Sequence, residues 1–271
     1  MYINEQYRDL ELLDTISYQY IGRDGAYQER SEPIIREHLL DVYINDKLTM
    51  KLICIPQFLT ELVLGRLITE GVVRSTESIK QIYVCKFGKR AKVYLQDACG
   101  EGAADFVEVT PSCCTGNHIL NDYFLAHTDV RPVVPIPWEA SQVFALVDRF
   151  CEGLPLYDQT TAVHSCFLSQ GDQPIFQCED IGRHNAMDKT IGYALRHGVD
   201  LSKCIIYSSG RIATDMVMRA IRAGIPILSS KAAPSQEAVA LAEEYGLTLV
   251  CAARRDRMKL FTGTPPGIAK A

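Results

Sequence analysis

Short alternating runs of apolar residues and one amphipathic segment organise the first half of the chain. Alternation of apolar and polar residues is typical of half-buried strands, and apolar residues spaced three and four apart predict a helix. The predicted elements are a hairpin of Leu39–Ile44 and Leu48–Ile55, a helix from Pro56 to a stop at Gly71, and strands at Ile79–Phe87 and Ala91–Leu95. This half is therefore predicted to be rich in strands.

The second half alternates between short apolar runs and amphipathic segments of about ten residues, most of which end at a glycine. The predicted strands are Ala162–Leu168, Pro174–Cys178, Cys204–Tyr207, Ile225–Leu228, Leu247–Ala252 and Met258–Phe261, with helices opening at Pro137, Asn185, Thr214 and Ser235. Such alternation predicts βαβ units and a largely parallel sheet. The proline-rich segment near residue 130 resembles a linker. We therefore predict a strand-rich domain at 1–130 and an α/β domain at 131–271.

Composition narrows the class of protein. Hydrophobic residues make up 47% of the 271 residues and charged residues 23%, which is the balance of a globular protein and not of a disordered one. The net charge of −5 argues against a nucleic-acid-binding protein. No apolar run is long enough to predict a membrane-spanning helix, and residues 1–30 lack the pattern of a secretory signal.

The ten cysteines do not form a recognisable framework. Most of them stand alone among apolar residues, which is typical of small buried side chains in a reducing cytosol. No CxxC pair and no pair of histidines with zinc spacing occurs, so we predict a cytoplasmic protein without a metal site.

Polar segments follow four of the predicted strands. These segments are Glu179–Asn185, Ser208–Arg211, Ser229–Ser235 and Arg254–Arg257. Ligands bind beyond the carboxyl ends of the strands in open α/β sheets, and small residues at a helix N-terminus beside an arginine suit a phosphate. The candidate phosphate-binding residues are Arg183, His184, Ser209, Gly210 and Arg211. The alternative is that each segment only caps a helix and carries a solvated arginine.

Cys113 and Cys114 are adjacent in a segment where Pro111 and Gly116 predict a loop. A disulfide between them is a poor explanation, because adjacent Cα atoms lie about 3.8 Å apart and ordinary disulfides need roughly 4.4–6.8 Å. They are either incidental thiols or a nucleophile that carries sulfur. A reactive thiolate needs cationic neighbours, and no Lys or Arg lies between positions 93 and 130. Activation would then come from the second half, where the candidates are Arg183, His184 and Arg211.

The segment Asp180–Lys189 resembles a known motif. It is similar to the D-x-G-R-H-N-A-x-D-K signature of the FdhD family, the formate dehydrogenase accessory sulfurtransferases. Further matches lie at Leu67–Gly71, Ser208–Arg211, Ala223–Pro226, Ala233–Ser235 and Arg254–Thr262. The resemblance runs from about Glu32 to Thr262 and so covers most of the chain.

The resemblance implies a specific function. Members of this family take sulfur from a cysteine desulfurase as a cysteine persulfide and pass it to the molybdenum bis-guanine-dinucleotide cofactor, which formate dehydrogenase requires. It further implies a cytidine-deaminase-like, three-layer α/β/α C-terminal domain without the zinc site, a homodimer, and binding of nucleotides such as GDP. The expected partners are the desulfurase and formate dehydrogenase, with no nucleic acid and no membrane.

The resemblance also assigns residues. The family has a T-x-S-C-x-x-C loop whose first cysteine carries the persulfide, and Thr110–Cys113 matches its start. The second family cysteine falls at Gly116, so Cys113 is the first candidate for the sulfur carrier and Cys114 the second. The cofactor-binding stretch corresponds to Ala252, Ala253, Arg254, Arg255, Asp256 and Arg257. Many members have a bulky aromatic residue where Ala252 stands.

Two other functions stay open on the sequence. The missing second cysteine favours a nucleotide-binding module that has lost sulfur transfer. A hydrolase that uses His184 and Asp188 is the third hypothesis, because residues four apart share a helix face. No nucleophile for such a hydrolase can be identified.

Overall fold

The computed structural model describes residues 1–96, the backbone of 108–110, and residues 130–267. We call 1–96 with 108–110 the first lobe and 130–267 the second lobe. The strands of the first lobe are β1 Tyr2–Glu5, β2 Leu13–Ile21, β3 Tyr27–Ile35, β4 His38–Ile44, β5 Lys47–Cys54, β6 Ile79–Val84, β7 Arg90–Leu95 and β8 Glu108–Thr110. Its described α-helix is α1, Leu59–Thr69. Cys113 and Cys114 lie outside the described residues.

The first lobe is a six-stranded sheet, in the order β1-β6-β7-β4-β5-β8, with α1 packed against it. The predicted hairpin is confirmed as the antiparallel pair β4–β5. Its two turn residues, Asn45 and Asp46, have φ angles of 46° and 64°. Asparagine and aspartate tolerate this left-handed conformation, which a tight hairpin turn requires. The predicted strands at β6 and β7 and the glycine stop after α1 are confirmed as well.

A second hairpin, β2–β3, is not predicted by the hydrophobic pattern. Its two nine-residue strands pair along their whole length from Leu13↔Ile35 to Ile21↔Tyr27. Nearly every residue of both strands is exposed or half-buried, including Ile16 and Tyr20. A strand with no buried face shows no clean alternation, because alternation arises only where one face packs on a core.

The second lobe contains strands β9 to β14 and helices α2 to α6. The strands are β9 His164–Gln170, β10 Gln173–Asp180, β11 Cys204–Ser208, β12 Ile227–Ser230, β13 Thr248–Cys251 and β14 Lys259–Thr262. The helices are α2 Ala140–Cys151, α3 Pro155–Thr160, α4 Arg183–Arg196, α5 Thr214–Arg222 and α6 Gln236–Glu244. Each predicted strand and helix of this half is confirmed to within a few residues.

The prediction of a largely parallel sheet is wrong. The sheet order is β10-β9-β11-β12-β13-β14, and only β11–β12 and β12–β13 are parallel pairs. The other three pairs, β10–β9, β9–β11 and β13–β14, are antiparallel. The reason lies in the connections: β9 and β10 are joined by a tight turn at Gly171 and β13 and β14 by a short loop, and neither connection carries a crossover helix.

Helices cover both faces of this sheet. One face packs on α4, α5 and α6 around residues such as Leu168, Ile206 and Leu228. The other face packs on α2, where Val143, Leu146 and Val147 are buried. The expected mixed α/β class is therefore confirmed, and this lobe has three layers. A closer likeness to cytidine deaminases, and domain limits at 1–130 and 131–271, stay predictions.

The two lobes meet where α1 crosses α4. Gly65 of α1 lies against the backbone of Asp188, and Gly192 of α4 lies against the backbone of Glu61. A Cβ atom at either glycine would overlap the carbonyl oxygen opposite it. The crossing therefore requires a residue without a side chain on each helix.

Replacing Gly65 by alanine is expected to destabilise the protein. Alanine has the higher helix propensity by about 1 kcal/mol, so a loss of stability would show that backbone overlap outweighs propensity. We expect a net loss of about 2 kcal/mol in the free energy of unfolding, measured by urea denaturation. Gly22→Ala is the control, because a Cβ there would overlap only the flexible side chain of Asp24 in the β2–β3 turn, and the nearest backbone atom, the Ala26 carbonyl oxygen, would lie at 3.5 Å. Equal stability of the two variants would contradict the argument.

Candidate functional site

The four polar segments meet at one edge of the second sheet. Strands β11, β12 and β13 are parallel, so their carboxyl ends point the same way. Strand β10 is antiparallel to β9, and β9 is antiparallel to β11, so β10 also ends at this edge. The segments that follow these four strands therefore come together, as the sequence predicts. We call this the carboxyl edge.

Hydrogen bonds and close packing join each segment to its neighbour. The Ser230 hydroxyl donates to the Gly210 carbonyl at 2.6 Å, and the Ala253 amide donates to the Ser230 carbonyl at 3.0 Å. Gly210 in turn packs against the side chain of Arg183, where an added Cβ would lie 2.9 Å from the Arg183 Cβ. The β10, β11, β12 and β13 segments thus form one continuous surface, on which Gly210 is needed for close packing.

A cavity of about 400 Å³ opens beside this surface. Its walls are Phe150, Tyr157, Thr161, Ala162, Val163, His164, Ile181, Ser209 and Lys231. The Ser209 hydroxyl oxygen accepts a hydrogen bond from the Ser165 amide at 2.9 Å and lies 3.4 Å from Nδ1 of His164. The ammonium group of Lys231 lies 4.7 Å from the centre of the Phe150 ring. The cavity thus combines aromatic walls with a cation and small polar groups.

His184 pairs with Asp215, the second residue of α5. Its Nε2 donates to the Asp215 carboxylate, and Nη2 of Arg183 lies 3.8 Å from the same oxygen. Burial lowers the pKa of His184, and the nearby Arg219 and Arg183 charges act in the same direction. Burial alone would raise the pKa of Asp215, but the bond from His184 and the charges of His184 and the arginines lower it to about 2. The Asp215 carboxylate is therefore charged at neutral pH and holds the His184 ring in place.

The remaining charged residues of the predicted site are exposed. Arg211, Arg254, Arg255 and Arg257 all have exposed side chains at the carboxyl edge, and Asp256 is exposed among them. Ala252 begins this stretch with a φ of 50°, which is unusual for alanine. Its amide donates to the Ala232 carbonyl at 2.9 Å, and this bond fixes the turn that directs the arginine stretch away from β13.

Comparison with known proteins identifies the relatives of this chain. The model of the FdhD/NarQ family matches residues 35–266. The chain belongs to the FdhD/NarQ family. It is 30% identical over 266 residues to the sulfur carrier protein FdhD of Listeria monocytogenes, covering 93% of this chain and 98% of that relative. It is 32% identical to the FdhD of Bacillus pumilus over 251 residues, or 91% of this chain and 94% of that protein.

A solved structure shares the fold of this family member. The crystal structure of a protein from Desulfotalea psychrophila, assigned as a formate dehydrogenase accessory protein, superposes with a TM-score of 0.75 at 28% identity. The match covers 93% of this chain and 98% of that one, so both lobes are included.

The residues of the family signature Asp180–Lys189 lie in two different places. Arg183 and His184 belong to the carboxyl edge, whereas Asp180, Asn185 and Lys189 bind the first lobe. The Asp180 carboxylate accepts the Ile55 amide at 3.0 Å, and Nζ of Lys189 lies 2.6 Å from the same carboxylate. The Asn185 amide nitrogen donates to the Ile53 carbonyl at 2.8 Å. The density of polar residues in this segment therefore reflects the joint between lobes as well as the site.

Asp188 is the centre of a buried ion network. Its carboxylate lies 2.8 Å from Nε of Arg66 and 2.7 Å from Nη1 of Arg219, and the Thr69 hydroxyl donates to it at 2.8 Å. Glu70 pairs with both arginines. We call Arg66, Thr69, Glu70, Asp188 and Arg219 the interlobe network. Sequence reasoning missed Arg66 and Arg219, which lie in the middle of helices and belong to no local motif. The one signal that could have indicated a buried ion pair is an arginine at a helix position where the pattern predicts a buried residue.

This geometry does not support the hydrolase hypothesis. Asp188 is fully buried and bound to two arginines, while His184 is bound to Asp215. The two residues thus have separate partners.

Within the described part of the chain, no three His, Cys, Asp or Glu side chains are placed to hold a metal ion. Among those residues no helix has the length and apolar character needed to cross a membrane.

Removing the charge of Asp188 is expected to destabilise the joint between the lobes. Asp188→Asn would leave Arg66 and Arg219 buried with only Glu70 as counter-charge, and breaking such a buried pair costs about 3–5 kcal/mol. Thermal and urea unfolding would measure this loss. Asp200→Asn is the control, because Asp200 pairs with Lys203 on the surface, and little change is expected there. A stable Asp188→Asn protein would show that the network does not hold the lobes.

Proposed function

We propose that this protein is a sulfur carrier for formate dehydrogenase. In this proposal Cys113, or else Cys114, accepts sulfur from a cysteine desulfurase as a persulfide and passes it to the molybdenum bis-guanine-dinucleotide cofactor, bound as substrate at the carboxyl edge. The named relatives are sulfur carrier proteins, and the structural relative is assigned as a formate dehydrogenase accessory protein. The cytosol and a homodimer are the expected setting.

The course of the backbone before the cysteines is the observation that carries this proposal. Strand β8 pairs in parallel with β5, with Thr110 opposite Leu52. Beyond Leu52, the β5 segment runs to Ile53 and Ile55, which bind Asn185 and Asp180 of the signature. At Thr110 the chain is therefore heading towards the second lobe. Cys113 follows three residues later, a distance of at most about 11 Å along the chain.

The carboxyl edge suits the phosphates of a guanine dinucleotide. Arg211 and the three arginines of the 254–257 stretch supply cationic groups on the exposed surface, and arginine binds phosphate through paired hydrogen bonds. The nearby cavity has aromatic walls of Phe150 and Tyr157, which suit the flat face of a base. Many family members have an aromatic residue at the position of Ala252. Alanine offers no ring for stacking on a base, so in this chain the cavity would have to supply such contacts.

The first transfer is a simple exchange of sulfur. The thiolate of Cys113 attacks the outer sulfur of the desulfurase persulfide, a new S–S bond forms, and the desulfurase thiolate leaves. No oxidant is required, because one persulfide is consumed and one is formed.

A nucleotide-binding module without sulfur transfer is the second candidate function. The position of the second family cysteine is Gly116 in this chain, and that departure favours this alternative. The module would use the same carboxyl edge, so nucleotide binding alone does not distinguish the two functions.

Loading with sulfur distinguishes them. After incubation with a cysteine desulfurase and cysteine, intact-protein mass spectrometry should show a reducible gain of one sulfur that disappears in Cys113→Ala. Cys85→Ala, which removes a partly exposed thiol of the first lobe, should keep the gain. Loss of the gain only in Cys114→Ala would identify the second candidate as the carrier. No gain in the wild type would favour the nucleotide-binding module.

Nucleotide binding tests the carboxyl edge separately. Arg211→Gln and Arg254→Gln should each weaken GDP binding about tenfold or more in calorimetric titrations, since each removes a charged hydrogen bond to phosphate. Arg23→Gln is the matched control, because Arg23 is an equally exposed arginine in the β2–β3 turn. GDP affinity that is unchanged in both site variants would place the nucleotide elsewhere.

A further inference from the structure

Lys231 follows strand β12 and lies in the wall of the cavity at the carboxyl edge. Its side chain is half-buried, and its ammonium group lies 4.7 Å from the centre of the Phe150 ring. The backbone is fixed at this point, because the Lys231 amide donates to the Ser208 carbonyl at 3.1 Å. The face of an aromatic ring attracts a cation, so Phe150 helps to keep the ammonium at the cavity wall.

No acidic group opposes this ammonium in the ranges of the chain that the structure describes. Lys231 forms no ion pair with those residues, and the cavity wall they build contains no Asp or Glu. Lys51 and Lys189, by contrast, pair with aspartates at 2.8 and 2.6 Å. The donors of the Lys231 ammonium are therefore available to an oxygen or a ring nitrogen of a ligand.

The histidine of the same wall supplies little positive charge. Burial lowers the pKa of His164, and the charges of nearby Arg183 and Arg211 lower it further. The ordinary value for histidine is about 6.5, so this ring is mostly neutral at pH 7. Its Nδ1 lies 3.4 Å from the Ser209 hydroxyl. Lys231 is therefore the main cation of the described wall.

One ligand can reach both the cavity and the exposed arginines. Ser209 lines the cavity, and Arg211 follows two residues later with an exposed side chain. The cavity measures about 400 Å³, and its wall includes Tyr157, Val163 and Ile181. This size and apolar lining are typical of sites for small ligands. A nucleotide whose phosphates bind Arg211 can thus place its base beside Lys231.

We propose that Lys231 selects guanine over adenine by donating hydrogen bonds to O6 and N7 of a base bound in the cavity. The inference rests on the proposed function and names the residue that recognises the base. Guanine presents O6 and N7 as two adjacent acceptors, whereas adenine presents N7 beside an amino group, which is a donor. The lysine ammonium has three donors and no acceptor, so it complements this edge of guanine and not that of adenine.

Calorimetric titration of the full-length protein with GDP and ADP tests this inference. The wild type should bind GDP about tenfold more tightly than ADP or better, since a matched pair of hydrogen bonds to a base edge discriminates by roughly that factor. Lys231→Gln should remove this preference, because a glutamine amide pairs with N7 and the amino group of adenine. Lys231→Arg keeps a cation with donors only and should keep the preference for GDP.

Inosine diphosphate identifies the edge of the base that is recognised. Inosine keeps O6 and N7 of guanine and lacks its 2-amino group, so it should bind the wild type as tightly as GDP does. Its affinity should fall together with that of GDP in Lys231→Gln. Inosine diphosphate that binds the wild type as weakly as ADP would mean that the 2-amino group is recognised instead, and would overturn the part assigned to Lys231.

Lys86→Gln is the matched control. Lys86 is an exposed lysine of the first lobe, and its ammonium also lies over a phenylalanine ring, 6.0 Å from the centre of Phe87. The substitution removes the same charge from a similar setting far from the carboxyl edge in sequence. The preference for GDP over ADP should equal that of the wild type.

The outcomes separate this inference from the proposed function. An unchanged preference in Lys231→Gln would overturn the inference, as would equal affinity of the wild type for GDP and ADP or binding of neither. Sulfur loading of Cys113 or Cys114, measured by mass spectrometry, would leave the sulfur-carrier function intact in each of these cases. Loss of the preference in Lys231→Gln, with no sulfur on any cysteine of the wild type, would support the contact to the base and overturn the sulfur-carrier function.

Discussion

Two arginines and two carboxylates meet in the interior where the lobes of this protein join. Arg66, Asp188 and Arg219 have almost no exposed side-chain surface, and Glu70 has little. Burial alone would raise the pKa of Glu70, but the Arg219 and Arg66 charges lower it to about 2, so the carboxylate is charged at neutral pH. Buried charges are tolerated only when they are closely paired, and here two pairs lie within a lobe and two cross between the lobes. Each carboxylate is therefore shared by one arginine of its own lobe and one of the other.

The same joint fixes the geometry of the site. Gly65 and Gly192 let α1 and α4 approach until their backbones touch, which brings Asp188 within reach of Arg66. Helix α4 also carries Arg183 and His184 at its first turn, so the position of the carboxyl edge relative to the first lobe is set by this crossing. In the proposed function, the thiols follow one lobe and the phosphate-binding residues lie on the other, and sulfur transfer between them needs such a fixed distance. The signature Asp180–Lys189 is compact because some of its residues bind the first lobe and others lie at the carboxyl edge.

Local patterns in the sequence were sufficient to predict most helices and strands, but not to predict which elements pack or pair with each other. The β4–β5 hairpin is predictable because its turn residues and its alternation act within a few positions. The β2–β3 hairpin is not predictable in this way, because strands without a buried face show no alternation of apolar and polar residues. The meeting of four polar segments follows from strand direction, whereas the pairing of Asp188 with Arg66 and Arg219 joins residues far apart in the chain. Long-range ion pairs have no period and no motif from which a single sequence can predict them.

The charge at the carboxyl edge differs in sign from the net charge of the chain. The chain carries −5 overall, yet four exposed arginines lie at the carboxyl edge. Electrostatic interactions in water fall off over about 8 Å at physiological salt, so a phosphate at this edge experiences the arginines and not the average charge of the protein. His184 is bound to the Asp215 carboxylate through its Nε2, so any charge on its ring is paired there. In the proposed function, phosphate binding at this edge therefore depends on arginines, which stay charged at any physiological pH, and the bond between His184 and Asp215 joins α4 to α5.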